Sequence, residues 1–311
     1  MPFLGRALYN LLFLEGKQDH PDFAVFSNKE LFTRLEEFSF FLNEDIFIDL
    51  SKDIESPEEM YATLKAKKEE MPEMYLILFE LWKRLIHDKK TISIFCDELD
   101  LMIHNYDLRK GENEEKLQEK IFLLQDILDA GVDAKQNPHE IFQLVSDYLA
   151  HDLESFIYDY IFELIEKDKD TLASELLDGF YPYIKELLWF DYLRLCLLFK
   201  NPGEELSRFF ANFIESLMAN PDPELLIEVL LLIQKQDCGQ FFITLFRFVA
   251  AKITNYGQLY ELLEIAKNFY QISLNQQKIK KCEEVKKQIK KEMFDQPLDS
   301  SHPAYLVLLQ V

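Results

Sequence analysis

The sequence predicts an all-α fold, an irregular multi-helix bundle or stack of antiparallel helical hairpins, with roughly 12–15 helices. Three observations lead there. Apolar residues recur at spacings of three and four over long segments, the period of a helix that buries one face. Only eight glycines occur in 311 residues, and no two lie within three positions of each other. One helix-start grammar also repeats: a capping side chain, a proline at the first helical position, then a glutamate beside the positive end of the helix dipole.

In chain order, MPFLGRALYNLLFLEG predicts a helix over 3–14. With one arginine and no small-residue cleavage site it reads as a docked first helix, not a signal peptide. Ser27-Asn28-Lys29-Glu30 is a capping box opening a helix over 28–43, striped by Leu31, Phe32, Leu35, Phe38 and Leu42. The fragment 45–50 (DIFIDL) is strand-like but too short and isolated to found a sheet. Ser56-Pro57-Glu58-Glu59 starts a helix over 57–69, and others are expected over 72–87, 92–105 and 113–130. Asn137-Pro138-His139-Glu140 starts 138–150, and 152–167 follows with the stripe Leu153, Phe156, Ile157, Tyr160, Ile161 and Leu164. Next come 171–179 and 181–199. Asn201-Pro202-Gly203-Glu204 starts 202–219, and Asp222-Pro223-Glu224 starts 223–235. The remaining spans are 239–253, 257–271 and 274–293.

Short linkers make consecutive helices antiparallel neighbours. The proline-containing starts lie 81, 64 and 21 residues apart, which excludes a solenoid of regular period. Two polar stretches, 109–115 and 130–138, could divide the chain. The second is longer and ends in a helix start, so the expected division is an N-terminal helical region 1–135, a C-terminal helical region 136–294, and a linker with an apolar tail over 295–311.

The balance of 56 acidic against 34 basic residues, a formal charge of −22, argues against nucleic-acid binding, which depends on neutralising phosphates. A hydrophobic share of 48%, with 27 Phe and 14 Tyr, is enough to build a substantial core. Cys96, Cys196, Cys238 and Cys282 stand apart from one another among apolar neighbours, and no CxxC or Asn-x-Ser/Thr pattern occurs. They read as buried reduced thiols and point to a cytoplasmic protein. No apolar run reaches the ~18 residues of a spanning helix, so no transmembrane segment is expected.

Catalytic signatures are missing. No GxxxxGK[ST], GxGxxG or GxSxG occurs, and none of the six histidines follows a glutamate at the spacing of a carboxylate-bridged dimetal bundle. His139-Glu140 begins like a zinc-protease helix, but position 143 is Gln. Cys96 and His104 share a helix eight residues apart, too far for direct contact. Accordingly, no catalytic residue, cofactor or metal ligand is assigned.

The largest asymmetry lies between His139 and Phe199, where thirteen acidic residues face four basic ones. There Asp152, Asp159, Glu163, Glu166 and Asp170 form a candidate surface for a protein partner carrying a basic segment. Leu309 and Val311 match the loose hydrophobic-x-hydrophobic carboxylate pattern captured by strand addition. The expected function is a non-enzymatic protein–protein interaction module: an adaptor, a regulator, or an assembly- or secretion-associated component. The alternatives are an α-helical binder of an apolar ligand and an enzyme whose site is built from scattered residues. Near the end, QQKIKKCEEVKKQIKKEM gathers seven lysines. Its stripe of Ile279, Cys282, Val285, Ile289 and Met293 makes it the solvated back of a final helix.

Overall fold

The computed structural model describes residues 23–308 except 66–71, 90, 109–113, 235–238, 273 and 300. The expected helix 3–14, Cys238, most of the stretch 109–115, Leu309 and Val311 lie outside the described residues. Among those described there are sixteen α-helices, with one isolated bridge and no strand. The fold is therefore all-α.

The chain forms two compact units. The first holds residues up to Tyr160 together with Asp178–Lys185; the second holds Ile161–Leu177 and the chain from Glu186 onward. In the first unit lie α1 (Asn28–Glu37), α2 (Glu44–Ser51), α3 (Pro57–Lys65), α4 (Pro72–Leu85), α5 (Ile92–Asp107), α6 (Glu114–Asp133) and α7 (Pro138–Ser146). The division then passes inside α8 (Leu153–Glu166), and the last residues of α9 (Asp170–Phe180) return to the first unit. Successive helices pack as hairpins, α3 on α4, α5 on α6 and α6 on α7, while α1 lies against α4. Phe47 fixes α2 to this core, with ring centroids 6.1 Å from Phe32 and 6.4 Å from the fully buried Trp82.

The second unit contains α10 (Leu188–Lys200), α11 (Leu206–Ala219), α12 (Pro223–Ile233), α13 (Gly239–Ala250), α14 (Tyr256–Ile272), α15 (Gln276–Lys286) and α16 (Pro303–Leu308). The hairpins α10–α11, α12–α13 and α14–α15 repeat the same pattern, and α16 packs on both α14 and α15. Phe242 of α13 stacks on Phe269 of α14 at 3.9 Å and 11°.

The caps explain most boundaries. Ser27 and Glu30 close a full capping box. Asn137 accepts from His139 N at 2.9 Å, and Asp222 from Glu224 N and Leu225 N. At Ser56 the hydroxyl takes Glu59 N as expected, while the Glu59 carboxylate reaches Glu55 N.

Four expectations need correction. The fragment 45–50 is not a strand: Asn43 accepts Ile46 N, and the i, i+4 pair Phe47 and Ser51 is buried, so it coils into α2. The expected helix 28–43 ends at Glu37, because Ser39 adopts a positive φ of 68°. Asn201 does not start a helix. It ends α10, its amide donates to Asp170, and α11 begins at Leu206 without a side-chain cap. The helix expected over 274–293 stops at Lys286, and backbone groups of Phe294, Gln296 and Leu298 bond to the chain at the start of α14.

Candidate interaction surfaces

The five acids singled out in the sequence occupy α8 and its flanks. Asp152 is the N-cap of α8, accepting Ser155 N at 3.1 Å. Asp159, Glu163 and Glu166 recur at i, i+4 and i+7, which on a helix of 100° per residue gathers them on one face, about 120° around from the buried Leu153, Ile157, Tyr160 and Leu164. The unit division falls between Tyr160 and Ile161. Asp152 and Asp159 thus belong to the first unit, and Glu163, Glu166 and Asp170 to the second.

Their electrostatics differ. Glu163 is paired with Lys167 at 2.9 Å one turn later. Asp170 opens α9 and is held by Lys200 at 2.8 Å, which also pairs with Asp168 at 2.7 Å and donates to Ile165 O at the end of α8. Those carboxylate contacts raise the Lys200 ammonium above its ordinary range. Glu166 is exposed. Asp159 stands in another environment. Partial burial, and then the neighbouring Asp107 at the end of α5, hold its carboxyl above the usual range. Tyr106, beside Asp107, brings the two helices together through Tyr160 and Phe156, with ring centroids at 5.6 and 6.5 Å.

One arrangement escaped the sequence reading. Asp100 of α5 is only 2% exposed, and its carboxylate gathers the linker between α7 and α8. It accepts Ala150 N at 2.9 Å, His151 N at 3.2 Å and the His151 ring Nδ1 at 2.8 Å. The His104 ring lies 6.4 Å from that of His151. The signal was an acid on the apolar stripe Phe95, Cys96, Leu99 and Ile103, a place where a carboxylate survives only if hydrogen-bonded. Cys96 does not meet His104; its thiol turns to Val145 O at 3.7 Å.

The other described cysteines are equally enclosed. Burial pushes the Cys196 thiol up to about 12, against a hydrogen bond from Tyr192 that acts the other way, and burial also raises Cys282. Cys96, Cys196 and Cys282 are buried thiols. Among the described residues no group of three or more His, Cys, Asp or Glu is placed to hold a metal ion. Nor is any described helix long and apolar enough to cross a membrane.

The lysine-rich segment divides its charges. Lys286 turns inward, over the Tyr260 ring at 4.2 Å and onto Glu264, which Lys267 also meets at 2.6 Å. Lys278 lies over Tyr270 at 4.5 Å and donates to its hydroxyl. Lys280, Lys287 and Lys291 are exposed, while Ile279, Cys282, Val285 and Ile289 are buried.

What fold and surfaces define is a class: an all-α protein of two helical units whose α8 carries exposed carboxylates. Comparison with known proteins finds no matching family model, no matching curated protein and no matching solved structure.

Proposed function

We propose that the chain is a non-enzymatic protein–protein interaction module, an adaptor, regulator or assembly- or secretion-associated component, whose acidic surface takes a basic segment of its partner. The observation supporting this reading is the Asp107–Asp159 pair. Partial burial first, and then the like charge of Asp107 at the end of α5, hold the Asp159 carboxyl above the usual carboxylate range. A lysine or arginine seated there would relieve the repulsion and gain charge-assisted hydrogen bonds.

The sign of the stability effect makes the test clean. A carboxyl raised in the folded state is unfavourable once pH climbs through that raised value, so Asp159→Asn should fold at least as well as the wild type at neutral pH. Binding should move the other way. Partners retained from native lysate at about 50 mM salt, and lost at about 500 mM, should be depleted by the double variant Asp107→Asn, Asp159→Asn. If the double variant retains them equally, the acidic-surface reading fails.

A further inference from the structure

The chain after α15 closes back on the start of α14 through its backbone. Leu298 N donates to Thr254 O at 2.8 Å, Tyr256 N to Gln296 O at 3.3 Å, and Gly257 N to Phe294 O at 3.0 Å, around an antiparallel bridge between Asn255 and Pro297. The first N–H groups of α14, which a helix leaves without intrahelical partners, are thereby satisfied. Gly257 permits the approach, since a Cβ there would press to 3.3 Å from Phe294 O. The chain then enters α16, where Ala304 and Leu308 are fully buried against the α14–α15 hairpin. At six residues α16 is too short to be helical by itself and depends on its packing and its cap.

That cap is a histidine. His302 Nδ1 accepts Ala304 N at 3.2 Å, while the edge of the ring meets Tyr256 of α14 with centroids 5.2 Å apart at 82°. An imidazole nitrogen accepts only when it carries no proton. We propose that His302 is a proton-operated latch: protonating Nδ1 turns an acceptor into a donor, uncaps α16 and loosens the strap 301–308 from the α14–α15 hairpin.

The groups facing the ring favour that switch. Asp299 accepts Ser301 N at 2.9 Å and the Ser301 hydroxyl at 2.7 Å. These bonds, joined by the charge of His302, hold the Asp299 carboxyl below its usual range. Tyr256 offers the ring an aromatic neighbour and no compensating charge. Histidine is the side chain whose charge ordinarily changes between about pH 5 and 8, and that interval sets the two pH values for the test. Opening the latch uncovers the apolar surface beneath Ala304 and Leu308, remote in sequence from the α8 carboxylates and independent of their reading.

Hydrogen exchange on the full chain tests the latch, at about pH 5.5 and 7.5 with rates corrected for intrinsic chemistry. The amides of 304–308 should lose roughly three- to tenfold protection at the lower pH, the worth of one N-cap, while those of α12 keep theirs. His302→Asn, which caps without titrating, should hold the strap at both pH values, and His302→Ala should weaken it at both. Equal protection of 304–308 in the wild type at the two pH values overturns the proposal. So does a His302→Asn protein that loosens on acidification as much as the wild type.

Discussion

Gly179, near the end of α9, touches Gln125 of α6 so closely that a Cβ at that position would overlap the Gln125 amide. In a helix, Ala is better than Gly by about 1 kcal/mol, but here the added methyl must displace a packed side chain. Gly179→Ala should therefore gain little or lose stability alone, and should gain about 0.5–1 kcal/mol in a Gln125→Ala background. A double-mutant cycle by urea denaturation measures this, and additive effects would refute it. Asp100 teaches a related lesson. A buried carboxylate needs several donors, and here one linker supplies them all. Chemical groups that look catalytic in isolation, an acid and an imidazole, here close a turn.

Elements of this protein are fastened by a few long cations. Arg84 near the end of α4 donates to Phe23 O at 3.2 Å, Ala24 O at 2.9 Å and Phe26 O at 2.6 Å, and its Nε meets Glu80 at 2.7 Å. Only a planar fork of donors spans three carbonyls and a carboxylate at once. Arg84→Lys should release the turn Phe23–Val25, with a cost of about 1–2 kcal/mol and faster exchange of the amides at 26–31. Unchanged exchange there would show that the fork is dispensable.

The α14–α15 hairpin depends on Glu264 in the same way. Partial burial pushes its carboxyl up, but hydrogen bonds from Lys267 and Lys286 outweigh that and hold it below the usual range. A depressed carboxyl contributes stability above its unfolded pKa and loses it as pH falls toward the folded value. Wild type should thus be more stable than Glu264→Gln at pH 7, and the gap should close below about pH 4.5. A gap that stays constant down to about pH 3 would contradict the assigned ion pair.

At the scale of the whole molecule, a formal charge of −22 makes self-repulsion the leading electrostatic term. Local pairs such as Lys200 with Asp168 and Asp170 offset only part of it. Raising salt from about 10 to about 150 mM screens long-range repulsion more than it weakens contacts shorter than a Debye length. The melting temperature should rise by about 2–4 °C, and a fall would mean that the ion pairs dominate. Each unit has its own aromatic core, the edge-on cluster Phe32–Phe47–Trp82 in the first and the stacked pair Phe242–Phe269 in the second.

The helices were legible because their information is local. Period, capping side chain and proline all act within one or two turns, so Ser27, Asn137 and Asp222 marked their starts in the bare sequence. The failures share a cause as well. Asn201 carries the same start grammar, yet it ends α10 because its amide answers Asp170, 31 residues earlier. The fragment 45–50 looked like a strand until the buried Phe47 and the Asn43 cap decided its period. Sequence alone determined that this protein is helical, acidic and rich in buried aromatics, since composition and short-range spacing suffice for that. Which carboxylates face a like charge, which meet a lysine, and which close a turn was decided only by the tertiary structure. Those outcomes depend on distances between side chains far apart along the chain, and no local pattern encodes them.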